Sequence, residues 1–318
     1  MERRQFDHLV KQLQQLTRRQ CEKLLALLTE TSQLGRAAEV IEQSAQARLR
    51  CPRCGAGKPY RHGHAHGLQR YRCISCSKTF NALTGTPLAH LRHKSKWLDY
   101  LDCILGSTTV RRAASAVQVH KDTSFRWRHR FLSLPKNDRP PRLQGIAEAD
   151  ELYILESEKG ARKLDRPARK RGGAAKKRGI SDEQICVLVA RDRMGQTLDF
   201  VTGNGPVTKA QLHEHLPPVL DPDVLLVTDA NAAYRYFAHE AGFSHEAVNL
   251  RAGVRVRGAV HVQNVNAYHS RFRLWLSRFN GVATRYLANY LGWRWALDSQ
   301  RIHSPDVLLR AAMGIFHT

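Results

Sequence analysis

Two carboxylates stand out in a chain whose charge runs the other way. Asp150 heads a β-rich run that continues through Tyr153–Leu155, and Asp229 closes the apolar string Val-Leu-Leu-Val-Thr. Acidic side chains at strand ends are placed to converge, and a converging pair can hold divalent cations that take hard oxygen ligands. Each also has an ordinary explanation: Asp229 can cap a helix that starts at Ala230, and Asp150 lies among Glu148 and Glu151, any of which can be solvated. Further on, Asn266, Ser270 and Arg273 fall at i, i+4 and i+7 and share one face if the segment is helical. An amide oxygen there can act as a neutral hard ligand, and a guanidinium can clamp phosphate. The bland reading leaves Asn266 and His261 satisfying only local hydrogen bonds.

Cysteine spacing carries a second chemistry. Of seven cysteines, Cys21, Cys103 and Cys186 stand alone, whereas Cys51 and Cys54 are followed after 18 residues by Cys73 and Cys76. Each Cys-x-x-Cys can form a tight knuckle that points two sulfurs at one tetrahedral ion, with the intervening stretch as a hairpin. The N-terminal sequence MERRQFDHLVKQLQQ has no signal-peptide core, so a reducing, cytoplasmic setting is expected, in which converging thiolates are metal ligands rather than cross-links. A structural Zn²⁺ in a zinc ribbon is the reading. Without it, a segment of about 30 residues has almost no core to fold around. His62, His64 and His66 lie between the knuckles but receive no metal role, since four sulfurs complete the site.

The composition narrows the partner. The 318 residues, 42% hydrophobic, exclude a wholly disordered chain, and the longest apolar runs, Ile185 to Ala190 and Val224 to Val227, are far too short to cross a bilayer. The net charge of +23 calls for a polyanion. Membrane binding by a lysine-rich amphipathic helix has no candidate segment, so nucleic acid is favoured. Ser157 to Ile180 concentrates the charge, with ten Lys or Arg against two acids and almost no apolar side chains. It is either a solvated loop or a grip on the DNA backbone, through residues such as Lys170, Arg171, Lys176 and Lys177.

Elements must position these groups. Residues 2 to 30 carry helical periodicity broken near Leu16 and Thr17, with Thr17–Gln20 as a capping box for a second helix. Thr109 can cap a helix containing Ala113 and Ala114, Gln118 to His120 supplies a turn, and Lys121 to Leu132 makes a basic second helix: a helix-turn-helix, with Arg126, Arg128 and Arg130 suited to a phosphate-lined groove. His120 stands where a Ser or Thr cap is usual, and a plain helical hairpin is the alternative. Pro135 to Pro141 reads as a linker. Beyond it Tyr153 to Leu155, Ile185 to Ala190, Leu198 to Thr202 and Val224 to Thr228 read as strands, and Ala230 to Ala241 and Val262 to Phe279 as helices, giving a mixed α/β domain. Trp275, Phe279, Tyr286, Tyr290 and Trp293 can form an interface or, at such spacing, a core.

Taken together, the zinc ribbon, the helix-turn-helix, EADELYILESEKG around Asp150, VTDANAAY around Asp229, and His261 with Asn266 in HVQNVNAYHSRFRLWLSRFNGVATRYLANYLGW resemble the zinc-ribbon insertion-sequence DDE transposases, the ISXO-like group in its Asp-Asp-Asn form. That resemblance implies an α/β, RNase H-like catalytic domain preceded by the zinc ribbon and helix-turn-helix. The expected division is 1–48, 49–90, 91–141 and 142–318. It also implies Asp150, Asp229 and Asn266 as ligands of Mg²⁺ or Mn²⁺, Arg273 on phosphate, and double-stranded DNA, both element ends and target, as substrate for homo-oligomeric protein. Asn266 departs from the Glu of the wider superfamily and supplies less charge. The rival reading is a zinc-ribbon DNA-binding regulator with an inactive α/β domain.

Overall fold

A computed structural model describes residues 3–13, 15–46, 49–164, 166–169, 173–248 and 256–316. Contacts divide the chain into two units, Met1–Phe131 with His303–Thr318, and Leu132–Ile302. The division expected from sequence is cut differently: residues 1–131 form one unit, residues 132–141 go with the α/β segment, and residues from His303 on belong with the first unit.

The first unit is built along a long helix. Helix α1 (Arg3–Leu13) ends before the expected break, and α2 (Arg18–Gln46) starts after it. The capping box is present: the Thr17 amide donates to Gln20 Oε1 at 2.8 Å, and Thr17 Oγ1 accepts from the Gln20 amide at 3.4 Å. α2 runs well past residue 30 because its second half finds partners, burying Ala37, Val40 and Ile41. A hairpin of β1 (Tyr60–Ala65) and β2 (Leu68–Arg72), extended by β3 (Thr79–Phe80), follows. Ala65 pairs with Leu68, leaving a two-residue turn in which His66 and Gly67 both have positive φ, 54° and 77°. Such a turn matches the strand twist. Glu42 of α2 anchors the hairpin, accepting from the Gln69 amide at 2.9 Å and the Tyr71 hydroxyl at 3.3 Å.

Helices α3 (Trp97–Leu105), α4 (Val110–Ala116) and α5 (Lys121–Phe131) complete the unit with helix Pro305–Ala312, which packs on α2, α3 and α5. Trp97, Tyr100, Trp127 and Phe131 form its aromatic centre, with edge contacts at centroid distances of 5.2 and 5.4 Å. Thr109 caps α4, Gln118 takes φ 52° in the turn, and His120 Nδ1 accepts from the Asp122 amide at 3.3 Å. The imidazole thus does for α5 what a Ser or Thr cap ordinarily does.

The second unit is a five-stranded sheet between two helical layers. Its elements are β4 (Ile146–Leu155), β5 (Gln184–Asp192), β6 (Thr197–Asn204), α6 (Lys209–His215), β7 (Leu225–Asp229), α7 (Ala232–Ala241), β8 (Ser244–Val248), α8 (Gln263–Ser277) and α9 (Leu287–Asp298). The spatial order is β6-β5-β4-β7-β8; β4, β5 and β6 are antiparallel neighbours, and β7 and β8 run parallel to β4. One face, with Ala147, Ala149, Leu188 and Leu226, packs on Leu212 of α6 and on Tyr234 and Phe237 of α7. The other carries α8 and α9. Trp275, Phe279, Tyr290 and Trp293 pack on one another as core, and Gly292 is needed because a Cβ there would lie 2.4 Å from the Lys136 Cα. Among the described residues, no helix is long and apolar enough to cross a membrane.

Candidate active site

The site starts from strand register. β4 begins at Ile146, so Asp150 sits in mid-strand and not at a strand head as its sequence suggests; alternating Ala and Glu hide the strand's first half. Ile146 to Ala149 pair in parallel with Leu225 to Thr228, and the next position on each strand is Asp150 and Asp229. Adjacent strands lie about 4.8 Å apart and in-register residues share a face. Both carboxylates therefore stand on the face covered by α8, opposite the Ala147 and Ala149 face. The capping explanation for Asp229 falls: the helix begins at Ala232, and Asn231 caps it by accepting from the Ala233 amide. Asp229 Oδ1 instead accepts from the Asn231 amide at 3.0 Å.

Burial and crowding set the electrostatics. Burial pushes Asp150 up to about 6; the Asp229 charge adds to the rise, while the Glu151 amide and Arg273 oppose it. A cation between the two carboxylates would reverse their repulsion, and their oxygens are the hard donors such an ion needs. From α8, the buried His269 places Nδ1 3.6 Å from Asp150 Oδ2. Burial, then the Arg273 charge, brings this imidazole down to about 4, so the ring is neutral near pH 7. Asn266, Ser270 and Arg273 are exposed along the same helix. The structure thus joins Asp150, Asp229 and Arg273 electrostatically and adds His269; Asn266 is exposed one turn before His269.

Two further groups escape sequence reasoning. Glu148, read as one of three solvatable acids, is fully buried and held by Arg193, by the Val265 amide at 2.8 Å and by His261 Nδ1 at 3.2 Å. On the opposite face Glu151 accepts from the Tyr234 hydroxyl at 2.6 Å. Burial pushes Glu151 up to about 7, with the Tyr234 hydrogen bond working against the rise and the Asp150 and Asp229 charges adding to it.

In the first unit, the four sulfurs of Cys51, Cys54, Cys73 and Cys76 lie within 4.8 Å of one another. The two knuckles repeat one backbone pattern. The Cys51 and Cys73 amides donate to Ala56 and Lys78, and their carbonyls accept from Gly55 and Ser77, both at positive φ. Amides of the knuckle, that of Arg53 first, draw the Cys51 thiol down to about 6, and backbone bonds also lower Cys73. These are the two inner thiols of a site that can hold zinc as thiolates.

The proposed DNA contacts are distributed less evenly. Arg126 is exposed, and Arg130 is exposed while donating to the Pro87 carbonyl at 3.0 Å. Arg128 is a correction: it is fully buried and donates to the Thr108 carbonyl, tying α5 to the start of α4, so it has no surface to offer a phosphate. Lys176 and Lys177 are exposed. Lys170 and Arg171 lie outside the described residues.

Residues 142–295 match the family model of the ISXO2-like transposase domain. A Halobacterium salinarum protein, described as an uncharacterized protein in transposable element ISH50, is 33% identical over 266 residues, 80% of this chain and 87% of its own length. The chain belongs to the ISXO2-like transposase family. The matched transposase domain contains Asp150, Asp229, Asn266 and Arg273 and lies within the second unit, while the cysteine knuckles precede it. Among solved structures, that of a pre-cleavage Mos1 transpososome aligns at 13% identity over 69% of this chain and 79% of its own, with a TM-score of 0.21. At that score the alignment says nothing about the architecture of this ISXO2-like transposase.

Proposed function

We propose that this transposase binds the ends of its insertion sequence and, with Mg²⁺ or Mn²⁺, cleaves DNA strands and joins them to a target. The observation that carries the reading is the parallel register that makes Asp150 and Asp229 neighbours beneath α8. The strand order, with the first strand central, the second antiparallel to it and the fourth and fifth parallel, supports an RNase H-like domain. Asp150, Asp229 and the neutral Asn266 would hold the cations, which supply activation of the attacking oxygen and neutralisation of the leaving one. Asp150 and Asp229 contribute full charges once ionised, and Asn266 adds an oxygen without charge. Arg273, exposed one turn beyond His269, would hold the phosphate by a bidentate contact.

Recognition falls to the first unit in this reading. Its zinc ribbon and helix-turn-helix would read the terminal repeats, with Arg126 and Arg130 on the phosphates, while Lys176 and Lys177, with Lys170 and Arg171, would add backbone affinity from the second unit. The deciding experiment incubates purified protein and labelled element-end DNA with Mg²⁺ or Mn²⁺. Cleavage by wild type, its loss in Asp150→Asn and Asp229→Asn, and unchanged end binding are expected. Binding without any cutting by wild type would replace this reading with that of a regulator.

A further inference from the structure

The proposed chemistry leaves unused the most deeply buried charge in the second unit. Glu148 is on the same face of β4 as Asp150, two residues before it, and has no exposure to solvent. Three groups from elsewhere in the chain meet at its carboxylate. Arg193, from the turn between β5 and β6, pairs with Oε1; His261 Nδ1 lies 3.2 Å from the same oxygen; and Oε2 accepts the Val265 amide, in the first turn of α8, at 2.8 Å. Arg193 also donates to the Ala259 carbonyl at 2.6 Å, and its own amide donates to Ile146 at the start of β4 at 3.2 Å. A carboxylate on the first amides of a helix is favourable for that helix end. Here it comes from a strand, so it caps α8 and fixes its position along β4 at the same time.

The two elements then act as matched rulers. From Glu148 to Asp150 β4 advances about 6.6 Å, and from Val265 to His269 α8 advances about 6 Å. Pinning Val265 to Glu148 therefore brings His269 opposite Asp150, where the 3.6 Å approach is found. A hydrophobic contact would let the helix slide by a fraction of a turn. A buried carboxylate that needs Arg193 and the Val265 amide together would not, because losing either leaves a charge or donor unpaired, and the His261 ring, 3.1 Å from the Arg193 guanidinium, holds that arginine in place.

We infer that Glu148, with Arg193 and His261, is the positioning group of the candidate metal site: it sets α8 over β4 so that Asn266, His269 and Arg273 meet the Asp150 and Asp229 pair. This inference rests on the reading of Asp150, Asp229 and Asn266 as metal ligands. It concerns residues that would touch neither metal nor DNA.

Mn²⁺ binding to full-length, zinc-loaded protein, followed by electron paramagnetic resonance, tests it alongside hydrogen exchange at the Val265–Tyr268 amides. Glu148→Gln should weaken Mn²⁺ binding by about 10- to 100-fold, the usual cost of losing a group that orients ligands. It should also speed exchange in the first turn of α8 while leaving zinc content intact. In the Glu148→Gln background Asn266→Ala should cost less than in wild type, since the amide is then already misplaced. Should Glu148→Gln not fold, the milder His261→Gln decides, with weaker Mn²⁺ binding and faster α8 exchange expected. Wild-type Mn²⁺ affinity and unchanged exchange in the folded variant, or fully additive losses, overturn the inference. Asp150→Asn separates it from its premise: if that variant keeps Mn²⁺ binding, the metal-site reading itself fails, whereas its loss beside an unaffected Glu148→Gln removes only the positioning role.

Discussion

The cysteine knuckles and the carboxylate pair are both candidate sets of ligands, yet they are assembled in opposite ways. The knuckles draw four sulfurs from one segment, Cys51 to Cys76, and each half folds by hydrogen bonds within five residues of its own first cysteine. The carboxylate site draws Asp150, Asp229 and His269 from β4, β7 and α8, and only the packed sheet brings them together. A local site is legible in spacing, and with so small a core around it this one is expected to depend on an ion for structure. A distributed site is legible only through the fold, and the packed sheet around this one is expected to keep its shape without an ion.

Removing zinc should produce the largest effect and fall on one side of this comparison. Binding of a structural zinc is worth roughly 10–16 kcal/mol in small zinc domains, far more than the Tyr71 and Phe80 core here can supply. Chelation or Cys73→Ser should release the ion and expose the β1–β3 amides to exchange, while the second unit's melting transition stays in place. If those amides remain protected without zinc, the local site does not depend on its ion.

Next in size is the carboxylate site, where the expectation inverts. Asp150→Asn and Asp229→Asn should each reduce Mg²⁺-dependent cleavage on the order of 10³-fold or more, since each removes a full charge from a site asked to hold dications. Calorimetry should find the fold at least as stable, because relieving the repulsion between two crowded carboxylates favours the native state. A large loss of stability in either variant would mean that the pair is structural.

A smaller contrast lies within α5. Arg128→Leu should destabilise the first unit by about 1.5–3 kcal/mol, the cost of a hydrogen bond from a charged group, whereas Arg126→Ala should change stability by less than about 0.5 kcal/mol and weaken DNA binding. Equal effects of the two on stability would undo the buried assignment of Arg128. Smallest is the double change Lys176→Ala with Lys177→Ala. It should reduce the slope of log affinity against log salt by up to about 1.8, or about 0.9 for each phosphate that is no longer neutralised. An unchanged slope would show that these lysines do not touch DNA.

Much of this was written in the sequence, with losses that have physical reasons. The helix break at Thr17, the two helices around Gln118 and the central strands follow from capping chemistry and periodicity. β8, Ser-His-Glu-Ala-Val, does not, because an edge strand needs no apolar run to be held by one neighbour. Two polar residues are instructive. Arg128 belongs with Ser124, Trp127 and Phe131, and His269 with Val265, Tyr268 and Phe272; both stripes are i, i+3, i+4, i+7 and both are buried. Net charge along α5 points to three arginines alike, but the stripe separates Arg128 from Arg126 and Arg130. The same stripe marks His269 as the α8 side chain that meets Asp150, while Glu148 had no local signal, since its partners lie 45 and more positions away.

The return of helix Pro305–Ala312 to the first unit has a consequence for synthesis. This helix buries Leu308 and Leu309 against a scaffold of α2, α3 and α5 that is complete at Phe131, and the whole of residues 132–302 is translated in between. At roughly 5–20 residues per second the nascent first unit waits on the order of ten seconds or more for its last wall, while the sheet that carries the carboxylates is emerging from the ribosome. The cysteine knuckles can close during that wait because their hydrogen bonds need nothing downstream. The face of α2, α3 and α5 that takes Leu308 and Leu309 stays uncovered, so a ribosome that stops anywhere before Pro305 leaves a chain whose first unit is still open.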